Sequence, residues 1–168
     1  MAVDHITPQV KALIGTFTDW YEAPHPVEGS EVRRVLQGVM APGPLLAPDG
    51  REMAPPAFVV HMFRRPLSDA ADPLDAGVDA DFDGEARRLR AELPPVPIKL
   101  PRVVNGGYDH EFYSHALVGE RIRRRSRYKD IHQREGKSGP IVFVIVEDEY
   151  ETVDGRPIER STNTQIMR

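Results

Sequence analysis

Acid–base chemistry needs a histidine or a carboxylate beside a suitable partner, and this sequence offers few such sets. His61 stands alone in an apolar stretch, where a histidine is more often a hydrogen-bonded core residue than a catalyst. Asp109 and His110 are neighbours on a predicted strand, so they should point to opposite faces and not act as a pair. No serine-centred elbow, P-loop or dinucleotide-binding glycine pattern is present. The remaining histidines lack the spacing of a metal site: His5, His25, His115 and His132.

Two charged segments have the composition of ligand-binding motifs. The stretch DADFDG, residues 79–84, matches the first half of a calcium-binding loop, but Arg90 stands where that loop needs a bidentate glutamate. A solvated acidic loop is therefore the better interpretation. Arginines at every second position could form a phosphate-binding stripe, although acidic residues expected across a hairpin favour ion pairing instead. These arginines are Arg121, Arg123, Arg125 and Arg127.

Composition limits the class of protein. The chain has 168 residues, which fits a single domain over 1–168, and its 40% apolar and 29% charged residues suit a packed core. A net charge of −4 argues against a general nucleic-acid binder. The lack of cysteine excludes disulfides and thiol catalysis. Without a recognisable signal peptide or an apolar run of about 20 residues, we predict a cytoplasmic protein with no membrane partner.

Three helices are predicted in the first part of the chain. One begins with Thr7 as its cap, and the next is capped by Ser30 and ends before Pro42. The second has an apolar face of Val32, Val35, Leu36 and Val39. A third helix, at about 55–65, is apolar all round, which predicts burial on every side. Residues 66–101 are rich in aspartate and proline and are predicted to form a surface insertion.

Strand patterns with short turns follow residue 101 and predict an antiparallel meander. If the middle hairpin turns near Gly136, its opposite-charge pairs are Arg125 with Glu147, Arg123 with Glu149 and Arg121 with Glu151. The other face of this hairpin is then apolar and suited to packing on a helix. Its members are Ile122, Tyr128, Val142, Val144, Val146 and Tyr150.

Four segments together carry a resemblance to a known family: DWYEAPHPVEGSEVRRVLQGVM, APPAFVVHMFRRP, NGGYDHEFYSHALVGERI and REGKSGPIVFVIVEDEYETVDGRPI. They resemble the MaoC-like (FAS1-like) dehydratase N-terminal family over about residues 10–168. The resemblance implies a single α+β hot-dog fold, in which an antiparallel sheet wraps a central helix at about 55–65. It also implies hydration or dehydration of acyl thioesters, typically 2-enoyl-CoA to 3-hydroxyacyl-CoA, with acyl-CoA as substrate and no cofactor.

Active relatives place an Asp and a His five residues apart in a loop after the first long helix. When the proline of that loop is aligned on Pro44, the Asp position becomes Ala41 and the His position becomes Leu46. Neither side chain can move a proton. The resemblance therefore implies no catalytic residue in this chain and a second hot-dog subunit that carries the Asp/His dyad.

The predicted substrate-binding residues follow from the same resemblance. Four lie at the altered loop, three at the start of the central helix, and two in a strand where glycine leaves the backbone free for close contact. They are Met40, Ala41, Pro44 and Leu46; Pro56, Ala57 and Val60; and Asn105 and Gly106. A strand bulge is the alternative interpretation of Asn105 and Gly106.

Two other functions remain open from the sequence. One is a self-sufficient homodimeric hydratase or thioesterase that uses His61 with Asp109 or Glu111. The other is an acyl-CoA binding module that catalyses no reaction. The sequence does not distinguish among possible acyl groups.

Overall fold

The computed structural model describes residues 4–63, 90, 92–137 and 139–168, and its main element is a five-stranded antiparallel sheet. The helices are α1 (Pro8–Lys11), α2 (Gly29–Gly38) and a 3₁₀ helix (Phe58–Phe63). The strands are β1 (Tyr21–Glu22), β2 (Leu45–Leu46), β3 (Glu52–Met53), β4 (Val103–Phe112), β5 (Ile122–Gly136), β6 (Gly139–Thr152) and β7 (Pro157–Met167). The order of strands in the large sheet is β1-β5-β6-β7-β4, and β2 pairs with β3 separately.

The two α-helices begin differently from each other. The Thr7 hydroxyl accepts a hydrogen bond from the Val10 amide, which confirms the predicted cap of α1. Helix α2 follows Glu28, so the prediction that Ser30 caps it is wrong. Because α2 ends at Gly38, Val39 is exposed, although the apolar spacing had placed it on the buried face.

The β5–β6 hairpin forms as predicted, but with a register shifted by two residues. Gly136 pairs with Gly139, so the turn lies after Gly136 and the pairing next to the turn is shifted by three residues. The bulge between Tyr128 and Asp130 reduces the shift to two residues in the rest of the hairpin. The side chains on each face are unchanged by the shift, and the six predicted apolar residues are buried. The observed charge pairs are Arg123 with Glu151, Arg125 with Glu149 and Arg127 with Glu147.

Aromatic rings cover the arginines on this outer face of the sheet. The Arg125 guanidinium lies 4.4 Å from the ring centre of Phe17 and 4.7 Å from that of Trp20. The N-terminal segment is held there by the Thr18 amide, which donates to the Ser126 carbonyl at 2.8 Å. Ion pairing is thus the correct interpretation of the arginine stripe, and Arg121 pairs with Glu22 rather than with Glu151.

The opposite, inner face of the sheet buries a carboxylate among its apolar residues. Asp148 is fully buried and accepts hydrogen bonds from Arg90 at 2.6 Å and from the Ser126 hydroxyl at 2.6 Å. Burial alone would raise the pKa of Asp148, but the hydrogen bonds and positive charge of Arg90 hold that pKa below its usual value. Asp148 therefore stays ionised and fixes Arg90 beneath the sheet.

The predicted surface insertion, 66–101, is only partly described. Residues 64–89 and 91, which include DADFDG, lie outside the described part of the chain. The described end of the segment is anchored to the core, because Ile98 is buried and the Tyr128 hydroxyl donates to the Pro94 carbonyl at 2.7 Å, whereas Pro95, Pro97 and Lys99 are exposed.

The central helix begins about three residues later than predicted and is more open. It is a 3₁₀ helix over Phe58–Phe63, and among these residues only Phe58 and Val59 are buried. His61 is exposed, so the prediction of a core histidine is wrong. The sheet covers the helix from one side, which explains why an all-apolar sequence is not buried on every side.

Replacing Asp148 with asparagine should lower the free energy of unfolding at neutral pH by about 3–5 kcal/mol, because the buried Arg90 would lose its counter-charge. The folded-state pKa of Asp148 lies below the ordinary 3.8, so its contribution is present above that pH and is lost as pH falls through the lowered value. Urea unfolding from pH 7 to pH 2.5 measures both effects. Asp19→Asn, at an exposed site, is the control, and equal effects of the two variants would contradict this account.

Candidate functional site

A cleft of about 200 Å³ opens where the 3₁₀ helix begins, beside the neighbouring ends of β4 and β7. Prolines precede the helix, and apolar side chains from the strand ends form the opposite wall. The lining residues are Pro55 to Val59, Phe112 to Ala116, Ile158 and Glu159. The cleft therefore combines apolar walls with one buried carboxylate.

Glu159 is that carboxylate. It lies on β7, its Oε1 atom is 2.6 Å from Nδ1 of His110 on β4, and the nearby backbone N–H of Ala57 favours its ionised form. Its side chain is 1% exposed. Burial raises the pKa of Glu159, and the contacts with His110 and Ala57 only partly oppose that rise.

The start of the 3₁₀ helix offers few free backbone donors. Pro55 and Pro56 have no N–H, and the Phe58 N–H donates to the Pro55 carbonyl at 3.2 Å. The Ala57 N–H lies near Glu159 and favours the ionised form of that carboxyl. Ala57 has a left-handed φ of 62°, a conformation that costs a non-glycine residue about 1–3 kcal/mol. The strained turn thus places the Ala57 N–H beside a carboxylate of the same chain.

His110 is held between aromatic rings on the edge strand β4. Its ring is stacked on Tyr108 at 5.8 Å and on Phe112 at 5.7 Å, measured between ring centres. With Nδ1 engaged by Glu159, Nε2 is the ring nitrogen left to meet other groups. A histidine oriented by a buried carboxylate is an arrangement that can serve acid–base chemistry.

The loop after α2 contains no side chain that could transfer a proton. From Val39 to Pro48 every residue is apolar, glycine or proline. Met40 ends the helix in a left-handed conformation with φ of 54°, and the Ala41 N–H donates to the Leu36 carbonyl at 2.9 Å, which is a Schellman cap. Asp49, the next carboxylate, is bound by Arg51 at 2.8 Å in the β2–β3 turn. Hydrogen bonds from Arg51 hold the pKa of Asp49 below its usual value.

The structure brings only some of the predicted substrate-binding residues together. Pro56 and Ala57 line the cleft. Val60 and Ala41 pack, partly buried, against the core cluster around Phe58, whereas Met40, Pro44 and Leu46 are exposed.

Asn105 and Gly106 lie about 20 Å along β4 from the cleft, given about 3.4 Å per strand residue. They form a bulge, in which the Asn105 side chain accepts a hydrogen bond from the Gly107 N–H at 3.0 Å. A Cβ on Gly106 would meet Thr164 at 2.9 Å. The bulge interpretation therefore accounts for both residues.

Sequence reasoning missed the Glu159–His110 pair. The two residues are separated by 49 positions and meet only through the β4–β7 register. The one local signal is that polar residues alternate along β7 on a face that proves to be buried, namely Glu159, Ser161 and Asn163.

Neither a metal site nor a membrane span is found in the described ranges. No group of three or more potential metal-binding side chains occurs among those residues. No helix there is long and apolar enough to cross a membrane.

The family relationship is decided by one match. The model of the FAS1-like dehydratase domain region matches residues 14–161. The chain belongs to this family. No curated protein matches the sequence.

Solved structures show which fold this FAS1-like dehydratase domain has. The ChsH1-ChsH2 complex from Mycobacterium tuberculosis matches with a TM-score of 0.66 and 16% identity, over 95% of this chain and 86% of that one. The HadBC (3R-hydroxyacyl-ACP dehydratase) complex from the same organism gives 0.57 and 16%, over 92% and 96%. A MaoC-like dehydratase gives 0.56 and 12%, over 94% of this chain and 43% of that longer one. The α+β fold is thus a hot dog, as predicted.

Replacing Glu159 with glutamine should raise the free energy of unfolding at neutral pH relative to wild type. The raised pKa means that the folded state favours protonated Glu159, so its contribution is present below the ordinary 4.5 and is lost as pH rises through the raised value. The advantage of Glu159→Gln should therefore shrink as pH falls to about 4. Urea unfolding at a series of pH values measures it. Glu111→Gln, an exposed change on β4, should show no such trend, and a Glu159→Gln advantage that grows in acid would refute the account.

Proposed function

We propose that this chain is the non-catalytic subunit of a hetero-oligomeric MaoC-like enoyl-CoA hydratase. The partner converts 2-enoyl-CoA to 3-hydroxyacyl-CoA, while this chain completes the assembly and shapes the tunnel that holds the acyl group. The observation that carries the proposal is the pair of residues at the family's dyad positions, Ala41 and Leu46.

Hydration of an enoyl thioester requires proton transfer at two carbons. A base takes a proton from water as its oxygen attacks the β-carbon, and an acid delivers a proton to the α-carbon. The methyl group of Ala41 and the isobutyl group of Leu46 can do neither. Asp49 cannot replace them readily, because its carboxylate is bound by Arg51.

The scarcity of free donors at the central helix supports the same conclusion. The thioester oxygen of a bound substrate develops negative charge and needs hydrogen-bond donors that are not already engaged. Here the Phe58 N–H is taken by the Pro55 carbonyl of the same turn, and the Ala57 N–H lies beside the Glu159 carboxylate. A thioester oxygen at this cleft would have to compete with that carboxylate for the Ala57 N–H.

The altered loop has the surface expected of a tunnel wall. Met40 is 89% exposed and Leu46 is 55% exposed, and the loop between them is apolar. Contiguous exposed apolar surface is typical of interaction sites. The proposed contribution of this loop is to set the width of the space available to the acyl chain, without touching the reacting carbons.

The solved structures similar to this chain support a partner subunit. Two of them are complexes of two differently named chains, ChsH1-ChsH2 and HadBC. We propose that the partner here is a second hot dog that carries an Asp and a His five residues apart, and that the ligand is an acyl-CoA thioester.

A reconstitution assay tests the proposal. The chain is purified alone and together with a small hot-dog protein encoded by an adjacent reading frame, and hydration of 2-enoyl-CoA is measured. Activity should require the partner and should be abolished by replacing the partner's aspartate or histidine. Equal activity of the lone chain would contradict a non-catalytic role.

The tunnel-wall role has its own test in the reconstituted complex. Leu46→Trp should lower kcat/KM for long or bulky enoyl-CoA substrates by about tenfold, which corresponds to about 1.4 kcal/mol, and leave a four-carbon substrate nearly unaffected. Val153→Trp, an exposed change in the turn after β6, is the matched control. A uniform loss across chain lengths would count against the role assigned to Leu46.

One observation favours a second candidate, a self-sufficient hydratase or thioesterase. His110 and Glu159 form an oriented acid–base pair next to the cleft. The alternative set of His61 with Asp109 or Glu111 is disfavoured, because Asp109 and Glu111 lie on the outer face of the sheet and the 3₁₀ helix lies on the inner face. Lone-chain activity that disappears in His110→Ala would establish this candidate. Acyl-CoA binding without turnover in either sample would indicate a binding module instead.

A further inference from the structure

The outer edge of β4 is open, and almost the whole strand is exposed. Within the described chain β4 pairs with β7 alone, so its other edge presents unpaired backbone groups. Nine of its ten residues are exposed, including Tyr108 at 42% and Phe112 at 51%. An edge of this kind is a template for another strand.

A row of alternating charges crosses the outer face of the sheet and ends at this edge. Arg125 pairs with Glu149 at 2.6 Å, Glu149 with Arg160 at 3.1 Å, and Arg160 approaches Glu111 at 3.5 Å. These four residues lie directly opposite one another on β5, β6, β7 and β4. The row therefore reads positive, negative, positive, negative, and its last member, Glu111, is 61% exposed.

A second acid lies beside Glu111 on the same face. Asp109 is exposed and is opposite Thr162, and no ion pair to it occurs among the described residues. The regularly paired part of β4 runs from Gly107 to Phe112, because the bulge at Gly106 interrupts the strand before it. This part contains two carboxylates and no lysine or arginine.

These charges oppose pairing of β4 with a second copy of itself. In an antiparallel two-fold arrangement centred on position 110, Asp109 faces Glu111 of the other copy twice. Centring on 109 or on 111 places an acid opposite its own equivalent. Like charges directly opposite each other destabilise a strand pair. The inner-face residues Tyr108, His110 and Phe112 raise no such obstacle.

We infer that the open edge of β4 selects, by charge, a partner strand from a different chain. That strand carries lysine or arginine on its outer face opposite Glu111 and Asp109, and so continues the alternating row. The inference rests on the proposed function for the existence of a partner subunit, and it adds the chemistry by which that partner is distinguished from a second copy of this chain.

The chain itself, with its charges reversed, is the probe for this edge. Wild type and Asp109→Lys/Glu111→Lys should each remain monomeric by sedimentation equilibrium at tens of micromolar. An equimolar mixture should form a one-to-one dimer, because each acid then faces a lysine.

The single variant Asp109→Lys should dimerise by itself. In the antiparallel arrangement centred on position 110, the new lysine of each copy lies opposite Glu111 of the other copy. Added salt should weaken both dimers at least tenfold between 0.05 and 0.5 M, as screening requires.

Three outcomes would overturn the inference: a wild-type homodimer, no dimer in the mixture, or a mixture unaffected by salt. Asp19→Lys, an exposed charge reversal away from β4, is the control and should not associate with wild type. Circular dichroism of each variant verifies folding, and Asp109→Asn/Glu111→Gln, which only removes the repulsion, should dimerise more weakly than the mixture. Sedimentation measures association alone, so a negative result there would not contradict the proposed hydratase function. In turn, an inactive reconstituted enzyme would not change the sedimentation result.

Discussion

The contact between the buried Glu159 carboxylate and His110 is the interaction on which the site depends. It ties β7 to the edge strand β4, and the same carboxylate lies beside the backbone N–H of Ala57 at the start of the central helix. The strained turn at Ala57 therefore meets a side chain of the protein itself where a ligand oxygen could otherwise sit. The apolar loop at Ala41 and Leu46 fits the non-catalytic role proposed for this chain.

Strands and their faces were predictable from the sequence, but the register was not. Apolar alternation assigns Val142, Val144 and Val146 to one face whatever the pairing, because a shift of two residues leaves every side chain on its face. The same shift exchanges one opposite-charge pair for another, so Arg123 meets a glutamate at either 149 or 151. The turn at Gly136–Gly139 and the bulge after Tyr128 determine which of the two glutamates pairs with Arg123. The sequence around neither feature identifies it strongly.

The candidate site shows the same limit of sequence reasoning. Ala41 and Leu46 could be proposed because the family's loop is contiguous in sequence, and their role stays a prediction. Glu159 and His110 could not be proposed, because they meet only through pairing of distant strands. The central helix was located correctly, but its burial was overestimated, because an apolar sequence alone does not tell whether a neighbouring sheet or a partner subunit covers a given side. His61 illustrates this, since it lies among apolar residues and yet faces outward.

The position of β4 in the chain has a consequence for biosynthesis. The β5–β6 hairpin is local and can form soon after it leaves the ribosome, but β4 emerges first and its only pairing strand in the described chain, β7, follows more than forty residues later. During that interval a strand with exposed tyrosine and phenylalanine has nothing to pair with, and such strands aggregate. If the proposed partner subunit covers this edge, production of both chains from one transcript would shorten the time that the edge spends uncovered.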